Sequence, residues 1–491
     1  MMGNSMELRQ EIKLLCLIFA LSLIPFLLVW ASGRGVGVQG DGVGYYAYLR
    51  SMFFDHDLNF ENEYVYYAQR GQKVASIMLA YPMTDTGLVG NHWAVGTPLL
   101  WTPFFLLGHV VASVLNALGQ PVSIDGYSTP YIALISLGTA FYAFIGLLLS
   151  YIICRKLFGR QESFLALIMI WFATALTAYM YFHTTLSHPA SFFLVALFLY
   201  LWFNSREERR LGTWIIMGFV GGIMLTGRWQ NLLFFIPLLL DSALKLLRLI
   251  KLKTQIGRFI GHHIVFSISV LVGFLPQMLA WKVIYGNFLS DPFAGNPNRW
   301  HWATPQIFNV MFSSKHGLLS WTPVVAFALI GLFFLLRKDK LLGGSFLAVF
   351  LAQLYLVASW HSWYAGSSFS NRYFIECTPI FVIGLATFIS RLKAVVPFKL
   401  IIAFGFAFIL WNLAFIIQFG LGLIPREDYF PWSLMLYNQF YVVPKIVFEK
   451  AGQVLGRNMA FTTLLAILVI ASIGSLPFLW KKIMAVKGRG E

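Results

Sequence analysis

Apolar residues along the chain gather into runs of about twenty separated by short polar stretches, the pattern of a chain that crosses a bilayer repeatedly. The runs fall at residues 11–31, 97–118, 129–153, 162–182, 187–204, 213–227, 229–247, 259–284, 317–336, 342–359, 373–390, 398–422 and 460–480. A run such as "LLCLIFALSLIPFLLVWA" is apolar on every side, which fits a helix and excludes the alternating strand of a membrane barrel. The expected fold is an all-α polytopic membrane protein with about 12–13 transmembrane helices. It is expected to form one transmembrane domain over residues 1–491, with a long extracytoplasmic first loop, 32–96, and no separate soluble domain.

Composition agrees. Hydrophobic residues make up 58% of the chain, charged residues 11%, and the mean hydropathy is +0.71. The net charge of +16 comes from Lys and Arg dispersed over short loops, which argues for membrane orientation and against nucleic acid as a partner. From residue 154 onward the clusters "CRKLFGR", "REERR", "KLLRLIKLK", "RKDK", "RLKAVVPFK" and "KKIMAVKGRG" all fall on one side of the expected spans. That side is expected to be cytoplasmic. An odd number of spans would separate the basic termini, so one run should fail to cross. Thr97–Leu118, which carries Pro98, Pro103, His109 and Asn116, is the suspect. The first run is too long for a signal h-region and is read as a retained span. Cys16, Cys154 and Cys377 lie within or at the ends of apolar runs and read as packing residues.

The chemistry is expected on the other side, because the long loops there hold the polar residues. The chain has only 20 Asp and Glu, yet Asp41, Asp55, Asp57, Glu61, Glu63 and Asp85 share the first loop. Asp41 is flanked by Gly40, Gly42 and Gly44, which let backbone approach a ligand closely. It reads either as a solvated turn residue or as a general base at the membrane surface. Asp55, Asp57 and Glu61 are possible acidic helpers. Asp55-x-Asp57 has the oxygen ligands for a divalent cation and equally the look of a loop start; no cofactor is certain.

His183 and His188 bracket a turn and are expected to line a cavity, as is His361. Arg228 and Arg372 stand where spans meet the outer surface with no acid four positions earlier, so each needs an anion or must snorkel. Arg372 has Glu376 at i, i+4 as a structural partner; otherwise the two arginines, with Lys315 and His316, suit a phosphate. The Trp and Tyr residues around His361 read either as a surface for a sugar ring or as an interfacial belt.

With these residues in view, the chain resembles the GT-C superfamily of integral membrane glycosyltransferases, notably the branch containing protein O-mannosyltransferases and the lipid A aminoarabinose transferase. The resemblance covers nearly the whole chain. It rests on the order of "GDGVGYYAYLRS", "DHDLNFENEY", "NHWAVGTPLLWTPFFLLGH", "LSHPASFFLVALFLYLW", "TGRWQNLLFFIPL", "SSKHGLLSWTPVVAFALIGL" and "GSSFSNRYFIECTPIFVIGLA". It implies a sugar carried on a polyprenyl or dolichyl phosphate and a first-loop carboxylate acting on a lipid, glycan or protein acceptor, with Asp41 at the catalytic position. The chain departs from the O-mannosyltransferases in lacking their large luminal domain and the Asp-Glu pair at that position, which weakens the case for a protein acceptor. A multi-pass transporter or lipid flippase is the other reading; the chain has no internal repeat, and its polar residues sit at outer span ends, not at mid-bilayer.

Overall fold

The structure, a computed structural model, describes residues 2–31, 37–293 and 297–449. The expected span 460–480 and the basic stretch "KKIMAVKGRG" lie outside the described residues. The chain divides into two units, one running to Ile416 and including Arg426–Tyr429, the other holding Ile417–Pro425 and the chain from Phe430.

The first unit begins with α1 (Met2–Ala31). The loop after it is not open surface: it folds into α2 (Gly42–Arg50), α3 (Glu61–Ala68) and α4 (Lys73–Ala80). Aromatic burial is the reason. Tyr45, Tyr46, Tyr48, Phe60, Tyr64 and Tyr67 share one buried cluster with Trp101 and Phe105 of α5 (Gly96–Ala117) and Tyr131 of α6 (Thr129–Leu157). Each such side chain contributes about 2–3 kcal/mol on burial, enough to hold helices of eight or nine residues that would not form alone.

The suspected run at 97–118 is a continuous helix, α5, long and apolar enough to cross a membrane. Its polar residues are used within the protein. His109 Nδ1 bonds the Tyr131 hydroxyl at 2.8 Å and Asn116 donates to the Val122 carbonyl at 2.9 Å. Leu106, Leu107, Val110 and Val114 form its exposed side.

The remaining helices of this unit are α7 (Arg160–Phe172), α8 (Leu176–Tyr181), α9 (His188–Asn204), α10 (Leu211–Gly227), α11 (Ile236–Leu252), α12 (Ile256–Tyr285), α13 (Ile307–Phe312), α14 (Leu318–Trp321), α15 (Val324–Lys338), α16 (Lys340–Ser359) and α17 (Thr378–Leu392). Last comes α18 (Phe398–Gly420), whose final residues belong to the second unit. Among the described residues there is no β-strand, only an isolated bridge between Trp300 and Trp360. Six helices there are long and apolar enough to cross a membrane, and α9 and α10 are shorter apolar helices. The protein is an all-α polytopic membrane protein.

Several runs expected as single spans are broken. Residues 162–182 divide into α7 and α8; 229–247 opens with a 3-10 turn, Trp229–Phe235; 317–336 divides into α14 and α15; 373–390 opens with a 3-10 turn, Arg372–Cys377. Proline marks three of these four restarts, the division between α7 and α8 having none. Pro237 and Pro379 stand in the first turn of α11 and α17, Pro189 does the same for α9, and Pro323 directly precedes α15. Proline is pre-set for the start of a helix and pushes the residue before it out of helix, so the backbone just upstream is irregular. Irregular backbone among membrane-spanning helices is tolerated where protein or a cavity meets its polar groups.

Glycine sets the helix pairing. A Cβ on Gly222 of α10 would meet the Val270 carbonyl of α12 at 2.2 Å, and one on Gly331 of α15 would meet the Gly384 carbonyl of α17 at 1.8 Å. These backbones touch, as small residues allow in apolar surroundings.

The basic clusters converge at one end. Glu11 of α1 receives Arg155 at 2.8 Å and Arg160 at 3.4 Å, Glu162 pairs with Lys393, Arg206 meets Asp339 at 3.1 Å, and Arg209 meets Asp241 at 2.6 Å. Four loops expected on one side are thus tied together.

In the second unit, α19 (Trp432–Tyr437) leads into a wider turn, Asn438–Val442, and Gln418 donates to Gln439 at 2.6 Å.

Candidate functional site

At the opposite end of α9, α10 and α17 from those ion pairs, charged and polar residues from four segments meet. Asp41 opens α2. Gly40 takes a left-handed φ of +54° to turn the chain into that helix. Gly42 and Gly44 serve packing, not ligand approach. A Cβ on Gly42 would lie 2.5 Å from the Thr185 hydroxyl oxygen, and one on Gly44 1.8 Å from the Trp93 ring. The missing side chain at Gly42 seats α2 against the turn before α9, and that at Gly44 seats it against Trp93 before α5. That turn is held from behind by Thr139, which donates to the Thr184 carbonyl at 2.8 Å, and it presents Ser187 and His188.

Asp41 Oδ2 accepts from Arg372 Nη2 at 2.8 Å, across 331 positions of sequence. Arg372 therefore does not pair with Glu376, as helical spacing suggested. The reason is the 3-10 turn Arg372–Cys377: residues three apart eclipse there, so Tyr373 and Glu376 share a face and Arg372 points elsewhere. Glu376 Oε1 lies 3.1 Å from His188 Nδ1 and 3.5 Å from Arg228 Nε. Arg228 Nη1 also reaches Ser187 Oγ and His188 Nε2, each at 3.3 Å, and its Nε donates to Gln230 at 3.0 Å. A guanidinium only donates, so His188 accepts at Nε2 and carries its proton at Nδ1, toward Glu376. Ser187 bonds the Tyr45 hydroxyl at 2.8 Å, which closes the ring of contacts back onto α2. Burial raises the Tyr45 phenol above its ordinary value, against the pull of Arg228. Both arginines face Tyr373, at 5.5 Å for Arg228 and 5.9 Å for Arg372.

The site thus joins Asp41, Arg228, Arg372 and His188 with Tyr45, Ser187, Tyr373 and Glu376, which sequence reasoning left out of the site. Glu376 carried a signal, an acid inside an apolar run, which in a membrane protein points to function by default. Ser187, Tyr45 and Tyr373 carried none.

The other expected residues lie around or away from this group. His316 is buried with φ +59°, and its Nδ1 donates to the Tyr364 carbonyl at 2.7 Å. Its Nε2 is buried with no hydrogen-bond partner among the described residues and, being unprotonated, offers a lone pair. Burial first, then the Lys315 charge, lowers its pKa to about 4, against the hydrogen bond to Tyr364. It therefore suits a hydroxyl better than a phosphate. Lys315 lies over the Tyr364 ring at 3.5 Å. His183 sits 5.6 Å from the Tyr179 ring, and burial, with Arg426 and Arg372 nearby, pulls it down to about 4. His361 is exposed and packs on Trp360, which in turn meets Trp300 at 4.8 Å and Phe293 at 5.9 Å. These rings clamp loop 286–306 to the end of α16, where His301 donates to the Ser359 carbonyl at 2.6 Å.

Asp55 and Asp57 are drawn into the loop's own framework. Asp55 pairs with Arg50 and accepts from Asn62 at 2.8 Å, while Asp57 accepts from Ser51 at 2.8 Å and from the Asn59 backbone at 3.0 Å. Glu61 is exposed in the first turn of α3, where a negative charge suits the helix dipole. Arg50 also holds Glu63 at 2.7 Å; this carboxyl is wholly buried, and burial lifts it to about 7 even against Arg50. Among the described residues no three His, Cys, Asp or Glu side chains are placed to hold a metal ion. An open cavity of about 600 Å³ is lined by Met52, His56, Asp57, Asn59, Leu88 and Val283, apart from Asp41.

Compared with models of protein families, with curated proteins and with solved structures, the chain matches none.

Proposed function

We propose that the chain is a membrane glycosyltransferase of the GT-C kind, moving a sugar from a polyprenyl phosphate to an extracytoplasmic acceptor, with Asp41 as general base. The observation that carries this reading is the pairing of the first-loop carboxylate Asp41 with Arg372, beside a second arginine, Arg228, that faces the same Tyr373 ring, at the helix ends remote from the basic clusters. Basic loops mark the cytoplasmic face, so the opposite end faces out. α9 and α10 have 17 residues each, about 25 Å at the usual helical rise, which puts their outer ends near the far boundary of a hydrocarbon core about 30 Å thick. A lipid phosphate lies at that depth.

In the reaction the acceptor oxygen attacks the anomeric carbon, the bond from that carbon to the phosphate oxygen breaks, and the hydroxyl proton passes to Asp41. The leaving phosphate needs cations more than an acid, and the two arginines supply them by charge-assisted hydrogen bonds. His188 and Glu376 orient Arg228.

Reconstituting the purified protein with a polyprenyl-phosphate sugar and candidate hydroxyl acceptors tests the reading, with release of polyprenyl phosphate as the signal. Flipping of the intact lipid sugar across the bilayer without cleavage would instead make the protein a transporter. Single cysteines settle the side: one at Asp85 should label from outside the cell and one at Glu208 only after permeabilisation, both positions being exposed.

A further inference from the structure

Both arginines of the site have a carboxylate near them, but the two pairs differ. Glu376 is buried and held by His188 as well as facing Arg228. Asp41 is 32% exposed at its side chain, and Arg372 is its one side-chain hydrogen-bond partner among the described residues. Arg372 also keeps a buried Nε with no hydrogen-bond partner among the described residues, so its fork of donors is only partly used there. A guanidinium so enclosed needs an anion at all times, because the field of an unpaired buried charge is costly. Asp41 is the one able to leave, and it can leave only when another anion takes its place.

We propose that the Asp41–Arg372 pair is a latch opened by phosphate: a lipid-linked phosphate takes Arg372, Asp41 is released, and only then can its carboxylate engage an acceptor hydroxyl. Donor therefore binds before acceptor. A phosphate can satisfy the fork more fully than the single oxygen of Asp41, which favours the exchange. A base tied to Arg372 until the donor arrives also cannot act on an acceptor or water in its absence. This inference rests on the reading of the site as a lipid-phosphate donor site.

The latch makes an unusual demand on the base: removing it should improve donor binding. Asp41→Asn no longer competes for Arg372, so polyprenyl phosphate should bind the full-length protein in nanodiscs about three- to tenfold more tightly, the scale of a partly exposed ion pair. Asp85→Asn, in the same loop, should bind as wild type. In wild type, polyprenyl phosphate should also shift a carboxylate band in the infrared difference spectrum, and Asp41→Asn should lack that band. Should Asp41→Asn fail to fold, comparison of the wild-type bands before and after isotope labelling of aspartate decides alone.

Wild-type or weaker affinity in folded Asp41→Asn, with no aspartate band on binding, overturns the latch and leaves the donor site standing. No binding of polyprenyl phosphate or of inorganic phosphate overturns both. An equal response to inorganic phosphate supports the latch and removes its tie to lipid. The aspartate shift in a protein that transfers no sugar supports the latch and sinks the transferase reading.

Discussion

Buried charge gathers at both ends of the same helices, and the two gatherings are built differently. Glu11 is 1% exposed and its two oxygens accept from the Tyr151 hydroxyl at 2.6 Å, from Arg155 at 2.8 and 3.3 Å, and lie 3.4 Å from Arg160. Among the described residues Asp41 offers one oxygen to one side-chain donor, and Arg372 leaves a nitrogen unused. Nothing further can be added around Glu11 without losing a bond. Around Asp41 and Arg372 there are bonds still to be made. Saturated charge suits a joint that holds a bundle together, and unsaturated charge suits the anion site proposed above.

Substitutions at the two ends should therefore separate activity from stability. The largest effect is expected at Asp41: Asp41→Asn should lower turnover by about a hundredfold to ten-thousandfold, measured as release of polyprenyl phosphate, with the fold intact. Turnover near wild type would move the base to another carboxylate. At the other end, Glu11→Gln strands two arginines, and it should destabilise the protein by roughly 3–5 kcal/mol while sparing the turnover of molecules that remain folded. Thermal aggregation in detergent would report it, and a wild-type transition would dissolve the contrast.

Glu63 is an intermediate case, buried beside Arg50 with one oxygen unbonded. Its carboxyl titrates at about 7 when folded against 4.5 in the reference state, so between those values the folded protein holds a proton that the unfolded chain has lost. Stability from this group should fall as pH rises from about 4.5 to 7, by up to roughly 3 kcal/mol, and level off above. Glu63→Gln should flatten that slope; an unchanged pH profile would show that the carboxyl is ionised throughout. The smallest effect is expected from the arginines taken singly. Arg228→Gln or Arg372→Gln should weaken binding of the lipid phosphate by about 1.5–3 kcal/mol each, read as a shift in Kd. Equal Kd values in both variants and wild type would remove the anion site.

Much of the architecture was legible in the apolar pattern, since bilayer thickness dictates helix length. The breaks were not, because hydropathy is blind to whether apolar backbone is α-helical. The prolines at 237, 323 and 379 carried that information for three of the four breaks, and each stands just after a segment bearing site or near-site residues. Asp41, Arg228 and Arg372 could be picked out individually as charges in expensive places. Their partners could not, because the pairings join positions far apart in sequence. Glu376 was assigned to Arg372 by assuming 3.6 residues per turn where the backbone has three. Asp55-x-Asp57 showed the opposite failure: a ligand-like spacing that the loop uses for its own turns.

The glycine contacts between helices have a further consequence. Arg228 directly follows α10, and Arg372 begins the turn that leads into α17. Gly222 seats α10 on α12, and Gly384 seats α17 on α15, with carbonyls so near that neither position has room for a Cβ. Each guanidinium thus stands at the end of a helix that is seated, backbone to backbone, on its own neighbour. A methyl group added at Gly222 would push α10 off α12, and one at Gly384 would push α17 off α15, so that each would move an arginine from more than one helical turn away.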